Sequence, residues 1–109
     1  MNAQGEPIAP ELEPRHLQTV IEILSREAPG LEVLAYGSRV TGRAQECSDL
    51  DLALRDPVEP MRNTARAAEV REAFVVSLLP FSVDVCEWAL IPDSFRQEIS
   101  SRHIRLQGP

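Results

Sequence analysis

Leucine and acidic residues alternate along residues 49–54, which read Asp-Leu-Asp-Leu-Ala-Leu. Successive side chains of a β-strand point to opposite faces, so this spacing predicts a strand with leucines on one face and Asp49, Asp51 and Ala53 on the other. The two carboxylates would lie roughly 6–7 Å apart along that face. Like charges so placed repel unless a cation lies between them, although such a strand can also be a simple amphipathic edge. The fold must therefore bury the leucine face and accommodate the acidic one.

Helix and strand patterns alternate along the rest of the chain. Apolar residues at helical spacing predict a first helix that ends at Pro29-Gly30. Residues 31–36 predict a strand ending at Gly37, followed by a loop that leads into a short helix. Residues 61–79 are rich in helix formers and predict the longest helix, which Pro80 ends.

Three segments complete the pattern. Residues 81–88 predict a third strand, residues 91–102 predict a closing helix, and residues 103–107 predict either a short final strand or a frayed tail. This order predicts an α/β (α+β) fold, with a small mixed β-sheet of three or four strands and helices packed on one face.

The length of 109 residues predicts one small domain. We interpret residues 1–10 as a flexible leader and residues 11–109 as the domain. No apolar run approaches the ~20 residues of a membrane span, and the acidic N-terminus does not resemble a signal peptide, so we expect a cytoplasmic protein. Cys47 and Cys86 lack the spacing of a disulfide framework or a zinc site, which favours two small buried hydrophobes.

The formal net charge is −6. An acidic surface repels polyanions, which argues against direct binding of nucleic acid. The charge fits a metal-dependent site or a partner with a basic surface, and simple solubility explains it equally well.

Two further features add to the acidic strand. Gly37-Ser38 lies where a strand turns towards a helix, a place where backbone N–H groups can hold phosphate, although an ordinary serine-capped turn has the same sequence. Asp84 lies between two valines in the third strand, and a charge there is costly unless it is paired, solvated or bound to metal. If the two strands are neighbours, Asp84 joins the face of Asp49 and Asp51.

The order and spacing of these residues resemble a known signature. Gly37-Ser38, Gly42 and the run Ser48-Asp49-Leu50-Asp51-Leu52 resemble the polymerase-beta-type nucleotidyltransferase superfamily. Within it the chain is most similar to the minimal nucleotidyltransferases (MNT proteins) encoded beside HEPN proteins, and residues 79–85 also resemble that subgroup. The resemblance covers most of the chain, from about Leu17 to its end, and implies a nucleotidyltransferase fold.

The resemblance implies a role for each matching residue. Asp49, Asp51 and Asp84 would be the catalytic carboxylates and the ligands of Mg²⁺, a cation that prefers hard oxygen ligands. Gly37, Ser38, Arg39 and Gly42 would bind the nucleotide.

One position departs from the pattern, because many relatives carry arginine where this chain has Thr41. Arg39 or Arg43 could compensate, but a solvated or salt-bridged arginine is equally expected at either position. We expect Trp88 to be a partly buried core residue and Glu87 to be a surface acid. His16 and His103 have no partner at ligand spacing, so we expect no catalytic role for either.

The resemblance also implies a substrate and a partner. The implied activity transfers AMP from ATP to a hydroxyl, expected to be a tyrosine hydroxyl, of a cognate HEPN toxin, and the chain would act as the antitoxin. An alternative is a non-catalytic antitoxin that neutralises the toxin by forming a stable complex. A third is transfer to a small molecule such as an aminoglycoside, with a dimer partner supplying the pocket. A homo- or hetero-oligomer is compatible with each of these.

Overall fold

A computed structural model describes residues 9–45 and 48–108. The helices are α1 (Pro14–Glu27), α2 (Ser38–Thr41), α3 (Ala67–Val75) and α4 (Asp93–Ser101), with a 3-10 turn at Trp88–Leu90. The strands are β1 (Glu32–Tyr36), β2 (Leu50–Arg55), β3 (Val83–Glu87) and β4 (Ile104–Gln107).

The four strands form one mixed sheet in the order β3-β2-β1-β4. Strand β1 runs antiparallel to both β2 and β4, whereas β2 and β3 are parallel. The predicted mixed sheet is therefore confirmed, and the segment left open as strand or frayed tail is strand β4. The side-chain amide of Gln107 holds this strand by donating to the carbonyls of Ala28 and Leu31, at 2.7 and 3.2 Å.

The larger core lies on the leucine face of β2, as the alternating sequence predicts. Helices α1 and α3 cover this face and exclude water from it, which gives the hydrophobic stabilisation of the domain. The fully or nearly fully buried members of this layer are Val20, Ile23, Leu24, Ala28, Val33, Ala35, Val40, Leu50, Leu52, Leu54, Val70, Phe74 and Val85.

The expectation that the helices pack on one face is wrong, because a second apolar cluster lies on the opposite face. Leu34 of β1 and Ala53 of β2 point to that side and are covered by Trp88 and by Ile99 of α4. Both central strands carry apolar residues on both faces, so burying them requires helices on both sides of the sheet. Trp88 is a core residue, as predicted, with the guanidinium of Arg55 lying 4.7 Å from its ring centroid.

The longest helix among the described residues is α1, with 14 residues, whereas α3 has nine. The prediction that residues 61–79 form the longest helix is wrong because the first six of these residues do not join the helix. Here Asn63 accepts a hydrogen bond from the N–H of Ala65, and Ala65 has a φ of 58°, a left-handed conformation that no helix contains.

Glu87 fixes this non-helical segment and is not the surface acid that we expected. Its side chain is 6% exposed and accepts hydrogen bonds from the hydroxyl and N–H of Thr64 and from the N–H of Arg66. The carboxylate thus lies beside the start of α3, where unpaired N–H groups favour a negative charge.

The predicted leader falls mostly on residues 1–8, which lie outside the described residues, as does Cys47. Pro10 is already buried, and the N–H of Glu11 donates to the carbonyl of Arg39 at 2.7 Å. The packed part of the chain therefore includes Pro10. None of the helices in the described ranges is long and apolar enough to cross a membrane.

Replacing Glu87 by alanine should destabilise the fold, because Thr64 and Arg66 lose their buried acceptor. We expect the free energy of unfolding, measured by urea denaturation, to fall by roughly 2–3 kcal/mol. Glu87→Gln is the matched control, since it keeps one acceptor oxygen and should lose less. Wild-type stability of Glu87→Ala would contradict the anchoring role.

Candidate active site

The sheet register brings two of the predicted carboxylates directly together. Asp51 of β2 lies opposite Asp84 of β3, and neighbouring strands are roughly 4.8 Å apart. Asp49 immediately precedes β2, two residues before Asp51, and acts electrostatically on it. Asp49 and Asp84 are exposed and Asp51 is partly buried, so the group opens to solvent.

The electrostatics of this group are unfavourable to Asp51. Burial, which contributes most, and the neighbouring carboxylates of Asp84 and Asp49 together raise the pKa of the Asp51 carboxyl from 3.8 to about 6. Burial and like charge both penalise the ionised form. A cation at this place would relieve the repulsion.

The carboxylates of Asp49, Asp51 and Asp84 fit a divalent cation that also takes ligands from a bound substrate or from water. No three His, Cys, Asp or Glu side chains within residues 9–45 and 48–108 are placed to hold a metal ion by themselves. Mg²⁺ is usually bound by one or two carboxylates together with substrate phosphates and water, and not by an all-protein cage. Three hard oxygen donors facing solvent are compatible with that mode.

Gly37 lets the backbone approach Asp51 closely. It has a φ of 84° and a ψ of −159°, a conformation that is accessible essentially only to glycine. A Cβ atom at this position would overlap the Oδ2 atom of Asp51. The backbone then turns into α2, where the N–H groups of Val40 and Thr41 donate to the Gly37 carbonyl. The predicted glycine thus shapes the floor of the site.

The other predicted nucleotide-binding residues lie around the short helix that follows. Ser38 is the first residue of α2, and Gly42 ends that helix in the left-handed conformation with a φ of 81°. Arg43 is exposed beside it.

Arg39 points into the protein interior. Its Nε donates to the carbonyl of Ser48 at 2.9 Å, one terminal nitrogen donates to the carbonyl of Glu11 at 2.7 Å, and the guanidinium lies over the ring of Phe81. The structure therefore does not bring this guanidinium to the carboxylates. Through its hydrogen bond to the Ser48 carbonyl, the Arg39 guanidinium fixes the residue that precedes Asp49. Contact of Arg39 with the nucleotide stays a prediction.

Tyr36 belongs to the site, although sequence reasoning assigned it no role there. It pairs with Asp51 across the sheet, and its hydroxyl lies 3.5 Å from the Sγ atom of Cys86 on β3. The side chain therefore crosses β2, and the edge of its ring meets Phe95 of α4 at 5.5 Å between centroids. Burial, Cys86 and the carboxylates raise the pKa of Tyr36, which keeps its hydroxyl neutral. The only sequence signal was its place immediately before Gly37.

Gly37→Ala should displace the Asp51 carboxylate, because the added methyl overlaps it and glycine alone adopts this backbone conformation readily. We expect at least a tenfold loss of nucleotide affinity and a destabilisation of roughly 1–3 kcal/mol. Calorimetric titration with an ATP analogue and urea denaturation measure the two effects. Gly30→Ala is the control, because its φ of 79° carries a similar strain but nothing lies within 4 Å of the added Cβ. Equal nucleotide affinities of the two variants would contradict the steric account.

Asp51→Asn should stabilise the ligand-free protein at neutral pH. Between about pH 4 and pH 6 the folded state retains a proton that the unfolded chain has released, so the wild type loses stability as the pH rises through this window. Asparagine removes that loss. Because solvent screens the partly buried group, we expect a gain of about 1 kcal/mol at pH 7.5 and none near pH 4.

Urea denaturation in the presence of a chelator at both pH values measures this difference. Asp93→Asn, which alters an exposed carboxylate on α4, serves as the control. A wild-type protein that is more stable than Asp51→Asn at pH 7.5 would show that the carboxylate is not repelled there.

Comparison with known proteins identifies the family. The sequence model of the family described as "Nucleotidyltransferase domain" matches residues 17–106. The chain is also 38% identical over 97 residues to a probable protein adenylyltransferase, MntA, of Haemophilus influenzae, and the match covers 89% of this chain and 83% of that protein.

Solved structures share the fold. A toxin–antitoxin crystal structure with AMP-PNP superposes with a TM-score of 0.67 at 20% identity, over 85% of this chain and 73% of the other. A crystal structure of the toxin–antitoxin MntA–HepT superposes with a TM-score of 0.62 at 17% identity, over 89% and 74% of the two chains. The range matched by the family model, residues 17–106, includes Gly37 and all three carboxylates. The predicted fold class and enzyme class are confirmed. The chain therefore belongs to the nucleotidyltransferase domain family.

Proposed function

We propose that this nucleotidyltransferase transfers AMP from ATP to a tyrosine hydroxyl of a cognate HEPN toxin, and that it thereby acts as an antitoxin. The observation that carries the proposal is the register of the sheet, which pairs Asp51 with Asp84 beside the close approach of Gly37. The 38% identical relative is named a probable protein adenylyltransferase, and the two fold neighbours are toxin–antitoxin structures, which supports the choice of substrate and partner.

In the proposed reaction the acceptor hydroxyl oxygen attacks the α-phosphorus of ATP. The new bond forms as the bond to the bridging oxygen of the β-phosphate breaks, and pyrophosphate leaves with the electron pair. Bound Mg²⁺, held by Asp49, Asp51 and Asp84, would neutralise the phosphate charge and stabilise the attacking and leaving oxygens.

The chain's own residues supply the remaining steps. Asp84 would take the proton of the attacking hydroxyl, a role that its exposure on the edge strand supports. Gly37 and Ser38 would present the backbone and a hydroxyl donor to the phosphates. Since Asp51 must be ionised to hold the cation, protonation at low pH would compete with cation binding. We also propose a cytoplasmic location, where such a toxin and ATP would both be met.

A second function is favoured by the nature of the fold neighbours, which are complexes of an antitoxin with its toxin. The chain could neutralise the toxin by stable binding alone. The two functions differ in whether they need the carboxylates.

Intact mass spectrometry of the co-expressed HEPN protein separates them. With the wild-type chain we expect an AMP-sized increase in the mass of the HEPN protein, and with Asp49→Ala/Asp51→Ala we expect none, because the cation site is lost. Asp93→Ala, which removes a carboxylate outside the site, should leave the increase unchanged. No increase with the wild type, together with neutralisation by the double variant, would replace the enzymatic proposal with the binding one.

A further inference from the structure

Arg39 carries a positive charge in the interior of the protein. It is 6% exposed, and an arginine is seldom buried to this extent unless its donors have partners. Its place on α2, the helix that begins directly after Gly37, brings the side chain there. Because a buried guanidinium must be satisfied by its surroundings, its contacts show which parts of the chain it holds together.

One contact is with the chain that leads into β2. The Nε of Arg39 donates to the carbonyl of Ser48 at 2.9 Å, and Ser48 immediately precedes Asp49. Ser48 also exchanges two hydrogen bonds with Gln45, and these lie within the same loop. The register of β2 with β3 begins at Leu50. The sheet therefore holds the chain on the C-terminal side of Asp49, and the hydrogen bond from Arg39 holds it on the N-terminal side.

A second contact is with the chain that leads into β3. The guanidinium carbon of Arg39 lies 4.5 Å from the ring centroid of Phe81, a cation–π distance. The next residue, Ser82, accepts a hydrogen bond from the N–H of Leu50 through its carbonyl, at 3.0 Å. Asp84 comes two residues later. One guanidinium thus touches both segments from which the paired strands β2 and β3 start.

A third contact keeps Arg39 facing inward. One terminal nitrogen of its guanidinium donates to the carbonyl of Glu11 at 2.7 Å, and the N–H of Glu11 donates to the carbonyl of Arg39 at 2.7 Å. The carboxylate of Glu11 accepts a hydrogen bond from the N–H of Ala44 at 3.3 Å. The segment before α1 therefore holds α2 and the loop after it together.

These contacts need the planar fork of arginine. Two nitrogens of one guanidinium bond carbonyls of two separate segments, while its face covers an aromatic ring. Lysine has a single ammonium on a flexible stem, so it would keep the positive charge without this arrangement. An Arg39→Lys variant therefore separates a role that depends on geometry from simple attraction of phosphate.

We propose that Arg39 is a positioning residue for the Mg²⁺ site, which holds the segments that lead to Asp49 and Asp84 and does not itself contact the nucleotide. This role rests on the proposed binding of Mg²⁺ by the carboxylates. Several ligands must converge on one cation, so displacement of either segment weakens cation binding. A nucleotide at Gly37 and Ser38 then loses affinity through the cation.

The Mg²⁺ concentration needed for half-maximal binding of a non-hydrolysable ATP analogue, measured by calorimetric titration, tests this role. We expect Arg39→Lys and Arg39→Gln each to raise it roughly tenfold or more, as is usual when a residue that supports a metal ligand is lost. At saturating Mg²⁺ the affinity for the analogue should return to the wild-type value, because the variants impair the cation site alone.

Arg96→Lys is the matched control. The Arg96 guanidinium also donates to two backbone carbonyls, those of Trp88 and Ile91, but these lie beyond the far end of β3. This variant should leave the Mg²⁺ requirement unchanged. A wild-type requirement in Arg39→Lys would show that charge is sufficient and would overturn the positioning role. An affinity that stays low at saturating Mg²⁺ would show direct contact with the nucleotide and overturn it too.

Phe81→Leu keeps the test decisive if the Arg39 variants do not fold, which urea denaturation shows. It leaves Arg39 in place and removes only the ring beneath the guanidinium, so we expect the Mg²⁺ requirement to rise about threefold. An unchanged requirement would then overturn the role. No HEPN protein takes part, so a failure of AMP transfer leaves this result standing. A wild type that binds the analogue without Mg²⁺ would overturn the cation site and the role of Arg39 with it.

Discussion

The parallel pairing of β2 with β3 is the constraint on which the site depends. It sets Asp51 opposite Asp84 and closes the leucine face of β2 against Val85. Parallel neighbours need a long connection, and here residues 56–82 supply it and include α3. The buried contacts of Glu87 with Thr64 and Arg66 fasten that connection to the end of β3. The register that makes the carboxylate pair therefore depends on an acid at the far end of the same strand.

One functional residue, Asp51, lowers the stability of the fold. Asp51 is held partly buried between two like charges, and its raised pKa is the measure of that cost. The backbone at Gly37 and the neutral Tyr36 enclose it further, so the carboxylate has little freedom to turn away. Removing the charge should help folding and harm function, which is the usual relation at sites arranged for a ligand.

The alternation of leucine and aspartate in residues 49–54 was enough to predict β2, its buried face and the shared face of Asp49 and Asp51. That Asp84 joins them was predicted only on the condition that its strand neighbours β2, which the register confirms. Period-two patterning is set by local geometry, so it can be read from sequence. The burial of Glu87 could not be predicted in this way, because it depends on Thr64 and Arg66, which lie more than twenty residues away. The predicted length of α3 was wrong for the same reason, since Glu87 holds the preceding segment out of the helix. Arg39 turns inward towards Phe81 and Tyr36 crosses β2, and both are tertiary contacts that residue type does not reveal.

Binding of a non-hydrolysable ATP analogue, measured calorimetrically with Mg²⁺ or with a chelator, tests the central claim most directly. If the three carboxylates are a cation and nucleotide site, the wild type should bind the analogue only with Mg²⁺, and Asp51→Asn and Asp84→Asn should each lose that binding while Asp93→Asn keeps it. Equal affinity with the chelator, or wild-type affinity in Asp51→Asn, would show that the nucleotide does not bind through these carboxylates.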